Sequence, residues 1–248
     1  AAPHFMQESK MTDLRTLNNL MASQLELSYF EDLENCLAKL RSQYGECSYN
    51  EENFVFDCDL RVSMAYYLSR HIYFERQTEI HRLEQGYHTF YPRLRPHIKL
   101  VAPYYFALLA VYAGSFDKAL DYLNAVLDFD RKDLLKNFLA PAKILYLVAH
   151  YELGNVQHIE SALVSVYRYF YKKPAPFKTE TLILKYLKKI AYSIDQQEVV
   201  ANFKALKTEI SPLQDDEYEF QIFAYFDVIA WLDSKIEGKT FEEIVSRK

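Results

Sequence analysis

Apolar residues recur at spacings of three and four along nearly the whole chain, and their grouping predicts a succession of helices. The densest run lies near the middle. From Leu100 to Ala113 the residues are apolar or aromatic on every side of a helix, interrupted by one proline, so that helix is expected to be buried over most of its surface. It is too short to cross a bilayer. Gly114 then supplies left-handed backbone to end it and Ser115 a cap for the next helix. Phe116, Ala119, Leu120, Leu123, Val126 and Leu127 give that helix a single apolar stripe. A buried helix, a tight turn and an amphipathic helix make one unit of a helical array.

On the N-terminal side, residues 1–9 read as a loose leader. Met11, Leu14, Leu17, Met21 and Leu25 mark one helix, and Phe30, Leu33, Leu37, Leu40 and Tyr44 mark a second that Gly45 closes. After a polar turn over 46–52, Leu60, Met64, Tyr67, Leu68, His71 and Ile72 form the next stripe. Ile80 and Leu83 continue into a partner helix expected to end near Gly86. Pro92 and Pro96 each remove a helix donor, so 87–97 is expected to be a linker or a short bounded helix.

On the C-terminal side the central unit recurs at a fixed displacement. Gly114 maps onto Gly154, Phe116 onto Val156, Ala119 onto Ile159, Leu123 onto Leu163 and Val126 onto Val166. The preceding buried helices align as well, Tyr104 with Ile144 and Leu108 with Val148. A shared period with shared burial is the mark of stacked repeats, here 97–130 and 137–171. Phe177, Leu184, Leu187, Ala191 and Ile194 carry a further helix. Asp195 and Glu198 form an expected capping box for another, lined by Val199, Phe203, Leu206 and Ile210. Ser211 and Pro212 are expected to open one long buried helix through Phe220, Phe223, Phe226, Ile229 and Trp231, ended by Gly238. Thr240 with Glu243 caps a short last helix.

Composition narrows the function classes. Only five glycines argue against an all-β fold and against glycine-rich phosphate loops, while 21 tyrosines and 17 phenylalanines suit layered helix packing and contact surfaces. The net charge of −5 weighs against nucleic acid as a general partner. Cys36, Cys47 and Cys58 are evenly spaced with no C-x-x-C, which suits free thiols in a reducing, cytoplasmic compartment. No apolar run is long enough to span a bilayer and no signal core follows a basic start, so no membrane partner is expected.

Catalytic motifs are missing from the sequence. The seven histidines form no H-E-x-x-H, and His81 with Glu84 is a helical neighbour pair. Neither G-x-S-x-G, a P-loop nor a dinucleotide fingerprint occurs. The expectation is a protein without catalytic residues, metal or cofactor. Charge is distributed unevenly, however. Arg168, Lys172, Lys173, Lys178, Lys185, Lys188 and Lys189 stand against Glu180 alone, followed by ten acids against two lysines from Glu209 to Glu243. This reads either as a basic ridge for an acidic partner or a phosphate backbone, or as a solvated face that pairs with the acidic helices after it.

The phrase AGSFDKALDYLNAVLDF resembles the tetratricopeptide repeat, with Ala107, Gly114, Phe116, Ala119 and Leu123 at that family's small, glycine, aromatic, small and large positions. The copy around Gly154 keeps part of the pattern, and the period from Gly114 to Gly154 departs from the family's usual length. ALVSVYRYFYKK, LILKYLKKI and YFDVIAWLDSKIEGKTFEEIV are similar to uncharacterised helical-repeat proteins of Bacteroidetes-type bacteria. Together these resemblances imply an all-α, right-handed α-solenoid of about five stacked antiparallel helix hairpins, a single domain over 10–248, compatible with the C-terminal part of a longer chain. The family holds a peptide or helix in a groove lined by the first helix of each pair. Tyr104, Leu108, Val111, Tyr112, Ile144, Val148, Tyr151 and Glu152 occupy the matching positions. The expected function is a non-catalytic scaffold that binds a protein or peptide there. The alternatives are an acidic or nucleic-acid partner on the basic ridge, and a sensor or assembly module of a larger regulatory protein or enzyme.

Overall fold

A computed structural model of the protein, describing residues 2–130, 138–171, 177–219 and 221–247, has 13 α-helices and no β-strand among those residues. Its contacts divide the chain into two compact units, Ala1–Ala102 and Pro103–Lys248, with the boundary inside one helix. No helix among the described residues is long and apolar enough to cross a membrane.

The first unit holds α1 (Ala2–Glu26), α2 (Phe30–Arg41), α3 (Tyr49–Ser69), α4 (Gln77–Phe90) and the start of α5 (Pro96–Tyr112). Helix α1 takes in the stretch read from sequence as a leader. Its apolar face, with Leu14 and Met21 buried, packs on α2 and α3. Helix α3 is the hub, in contact with α1, α2 and α4. Ser48 and Glu51 set its start, the Glu51 carboxylate accepting from both the Ser48 backbone N–H and hydroxyl at 2.7 and 2.6 Å.

Two positions here depart from simple punctuation. Helix α4 does not end at Gly86 but runs on to Phe90. The glycine serves a close approach instead, since a Cβ there would overlap Cε2 of Phe56, whose ring stacks on Phe90 at 4.6 Å. Pro92 falls in a 3₁₀ turn, Tyr91–Arg93, and Pro96 opens α5. Pro103 sits inside α5 and has no N–H to offer the carbonyl one turn earlier, that of Lys99. The Tyr87 hydroxyl donates to that carbonyl at 3.1 Å, so the buried helix keeps its accounting complete.

The second unit continues with α6 (Phe116–Leu127), α7 (Leu139–Glu152), α8 (Val156–Tyr171), α9 (Lys178–Tyr192), α10 (Gln196–Ile210), α11 (Gln221–Tyr225), α12 (Val228–Glu237) and α13 (Phe241–Val245). Neighbours in sequence pack together from α6 to α10, and α7 also meets α9. The two central turns are copies of one another. Gly114 and Gly154 sit at φ of 69° and 67°. Ser115 N–H donates to the Ala110 carbonyl at 2.8 Å, and Asn155 N–H to that of His150 at 3.0 Å. In the helices that follow, Ala119, Leu123 and Val126 are buried in one copy and Ile159, Leu163 and Val166 in the other.

The long helix expected from Ser211 to Gly238 is broken into pieces: a 3₁₀ turn Ser211–Leu213, then α11, then α12. Local side-chain competition accounts for the breaks. The Asp216 carboxylate accepts from the N–H groups of Tyr218 and Glu219, and Asp227 caps α12 by accepting from Ala230 N–H at 2.9 Å. Phe220 lies outside the described residues. At Asp195 the helix start also differs from expectation, the carboxylate accepting from Gln197 N–H without the reciprocal bond from Glu198. Thr240 and Glu243 do form the expected box, and Gly238 the left-handed stop.

Candidate functional site

The eight lining positions come from α5 and α7, and four of them, Tyr104, Tyr112, Tyr151 and Glu152, meet the chain's own C-terminal segment. Tyr104, Leu108, Val111, Tyr112, Ile144 and Val148 are buried, while Tyr151 and Glu152 are half-buried. Tyr104 donates its hydroxyl to the Tyr225 carbonyl at 2.9 Å and meets the Tyr225 ring edge-on. Tyr112 stacks on Phe241 with ring centroids 4.0 Å apart and accepts from the Asp227 N–H at 3.0 Å. Tyr151 meets the rings of Phe203 and Trp231 edge-on.

Glu152 ties this arrangement together. Its two carboxylate oxygens accept separately, Oε1 from the Trp231 indole at 2.7 Å and Oε2 from the Lys235 ammonium at 2.6 Å. Trp231 and Lys235 are one helical turn apart on α12, so one carboxylate reads both. Burial raises the phenols here, Tyr104 well above the usual range and Tyr151 to about 12, in the latter case with the Glu152 charge adding to burial. Within this lining α12 occupies Tyr151 and Glu152, while Tyr225 of α11 meets Tyr104 and Phe241 of α13 meets Tyr112. Sequence spacing had placed α12 in the core but had not paired it with this lining, because a contact between positions so far apart in the chain leaves no periodic trace.

The basic positions are placed differently. Arg168 on α8 and Lys178, Lys185, Lys188 and Lys189 on α9 are all exposed, and Lys172 and Lys173 lie outside the described residues. The acidic stretch that follows reaches this face at two points. Glu209 of α10 lies 3.8 Å from the Lys185 ammonium and also binds the Tyr186 hydroxyl, which raises that phenol. The Glu219 carboxylate accepts from the backbone N–H groups of Lys178 and Thr179 at 2.7 and 2.8 Å, capping α9 from outside its own sequence. Two other acids of that stretch pair elsewhere, Asp233 with Lys207, and Glu237 with Lys239 and Arg247.

Three further clusters were not singled out from sequence. In the first unit, Asp59 is fully buried and accepts from Arg41 Nε at 2.9 Å, Arg82 Nη2 at 2.7 Å and the Ser63 hydroxyl at 2.9 Å. Asp57, nearly as buried, takes Arg95 and, at 3.5 Å, Arg61. Each carboxylate is matched by two guanidiniums, which suits pinning α3 to its neighbours. The run DCDLR inside an apolar stripe was the available signal. A cleft of about 340 Å³ lies between α1 and α2, floored by Leu14, Leu17 and Leu20 and edged by Lys10, Asp13, Thr16, Lys39 and Gln43. Lys10 already donates to the Glu46 carbonyl at 2.7 Å. In the second unit His150 is buried, with its ring parallel to that of His158 at 5.4 Å. Its Nδ1 faces the Asn155 amide at 3.3 Å, and its Nε2 has no hydrogen-bond partner among the described residues. Burial, and then the neighbouring His158, hold its pKa below the ordinary value.

No group of three or more histidine, cysteine or carboxylate side chains suited to a metal occurs among the described residues, and the three cysteines are free thiols. No protein-family model, curated protein or solved structure matches this chain.

Proposed function

We propose that the chain is a non-catalytic interaction scaffold of the tetratricopeptide-like, right-handed solenoid kind, working in a reducing compartment, whose aromatic lining recognises a helix. One observation supports it above the others: Glu152 accepts from Trp231 and Lys235 of α12 at once, so a helix is already held on the lining, supplied by the chain itself. Helix-in-groove recognition uses anchors spaced by one turn, and an aromatic with a lysine four residues later is such a pair. A partner helix carrying that pair would meet the same acceptor and the ring of Tyr151. The lining rests on buried side chains, so little ordering entropy is lost when it binds. The intramolecular helix competes at high effective concentration, and a partner binds to the extent that α12 is released.

The test uses Trp231→Ala, which weakens the intramolecular helix and leaves the chain with no tryptophan, since Trp231 is its only one. A synthetic peptide of residues 227–248 is then titrated in, and its own tryptophan reports binding. The reading expects a blue shift with the variant and none of comparable affinity with the wild type, read by labelled-peptide anisotropy. A variant that circular dichroism shows to be folded, yet that leaves the peptide's emission unchanged, refutes it. If Trp231→Ala does not fold, Lys235→Ala with the labelled peptide serves the same comparison.

A further inference from the structure

Helix α9 is buried on one side through Leu182, Ile183, Leu184, Tyr186, Leu187 and Ile190. At about 100° per residue, Lys178, Lys185, Lys188 and Lys189 fall on the opposite side within an arc of roughly 100°, and they span about 17 Å of the helix axis. All four are exposed. The ammonium groups of Lys185 and Lys189 lie 5.1 and 4.9 Å from the centre of the Tyr186 ring, so both are held against an aromatic face. The ring is itself fixed, since its hydroxyl is bound by Glu209. Among the described residues no carboxylate forms an ion pair with Lys188 or Lys189. At the C-terminal end of the same helix, Tyr192 is more than half exposed and Ile194 wholly so.

We propose that this lysine face of α9 is a docking surface for an acidic amphipathic helix of another protein, with carboxylates opposite Lys188 and Lys189 and an apolar side chain against Ile194. Lys185 stands one turn before Lys188 and Lys189, so the stripe matches carboxylates at i and i+4 on a partner helix. Complementarity of this kind sets orientation and speeds encounter more than it adds affinity. A phosphate backbone fits less well. Running along the stripe it would pass Glu219 at one end, Glu209 in the middle and Glu160, which hydrogen-bonds Tyr192, at the other. Those carboxylates repel a uniform polyanion along the whole stripe, and a short acidic helix centred on Lys188 and Lys189 stays clear of Glu219 at the far end. The surface is separate from the aromatic lining and stands or falls independently of it.

The experiment uses the full chain and a short fluorescein-labelled helical peptide of alanine and glutamate, with glutamates at i and i+4 and one leucine in its last turn. Anisotropy is read at low and at physiological salt, against a single-stranded DNA of equal charge. The double variant Lys188→Glu, Lys189→Glu is expected to lower peptide affinity at least tenfold, and Lys204→Glu, an exposed lysine on α10, less than threefold. DNA should bind the wild type at least tenfold more weakly than the peptide does. Circular dichroism of each variant should match the wild type, because the substituted side chains are solvent-facing. Three results would overturn the proposal: no peptide binding by the wild type, equal losses in both variants, or DNA binding as tight as the peptide's, which would make this a phosphate-backbone site.

Discussion

Replacing Glu152 by alanine removes the acceptor shared by Trp231 and Lys235, and the structure sets the size of the loss. The Glu152 side chain is 9% exposed and that of Lys235 27%. The indole N–H, on a residue 3% exposed, has no water to turn to once the carboxylate is gone. A hydrogen bond to a charged acceptor contributes about 1.5–3 kcal/mol, and a buried donor left unmade carries that cost in full. Lys235 can rehydrate, so its share is discounted to well under about 1 kcal/mol. The sum is about 3 kcal/mol. In a unit of this size that lowers the melting temperature by roughly 6–12 °C. Urea unfolding followed at Trp231, the single tryptophan, reports the segment concerned. Glu152→Gln keeps an oxygen for the indole and should lose about half as much. A double-mutant cycle of Glu152→Ala with Trp231→Phe, followed by circular dichroism because Trp231→Phe removes the tryptophan, should give a coupling of about 1–2 kcal/mol. A loss under about 0.5 kcal/mol, or an additive cycle, would refute the account of Glu152 as the clasp of α12.

Two further outcomes are expected. Gly86→Ala should destabilise the first unit by about 1–2 kcal/mol in thermal melts, because the new Cβ overlaps the buried Phe56 ring and overpacking outweighs alanine's helix preference of about 1 kcal/mol; a stabilised variant would mean that the ring yields freely. Stability of the second unit, followed at Trp231, should be fully present above pH ~6.5 and fall as pH drops below that ordinary histidine value. The sign follows from His150, whose depressed folded-state pKa lets the unfolded chain take up the proton first. His150→Leu should flatten the slope between about pH 7 and 5, and an unchanged slope would remove His150 as its source. Carboxylate effects fall in a lower window, as for Glu237, held at about 2 by hydrogen bonds from Lys239 and Arg247, and do not overlap this one.

The amino-acid pattern by itself determined most of the helical segments and where many of them stop. The turns at Gly114 and Gly154, the cap at Thr240 and the stripes of α6 and α8 are set by neighbours within a few residues, which is the range over which helical periodicity and capping act. The same range explains the exposed lysines of α9, since a stripe of like charges opposite an apolar face has only one way to turn. What only the tertiary structure decided is what each buried face meets. Gly86 looked like a stop and is a contact point, because the ring that needs its missing Cβ comes from Phe56 on another helix. The stretch from Ser211 to Gly238 looked like one helix and is several, because its apolar residues must reach Tyr104, Tyr112 and Glu152 while Asp216 and Asp227 satisfy the backbone at the breaks. The lining of α5 and α7 was legible as a buried apolar face, but its occupant was not. Periodicity records that a face is apolar; the identity of the surface that covers it is fixed by shape and hydrogen bonding between segments far apart in the chain.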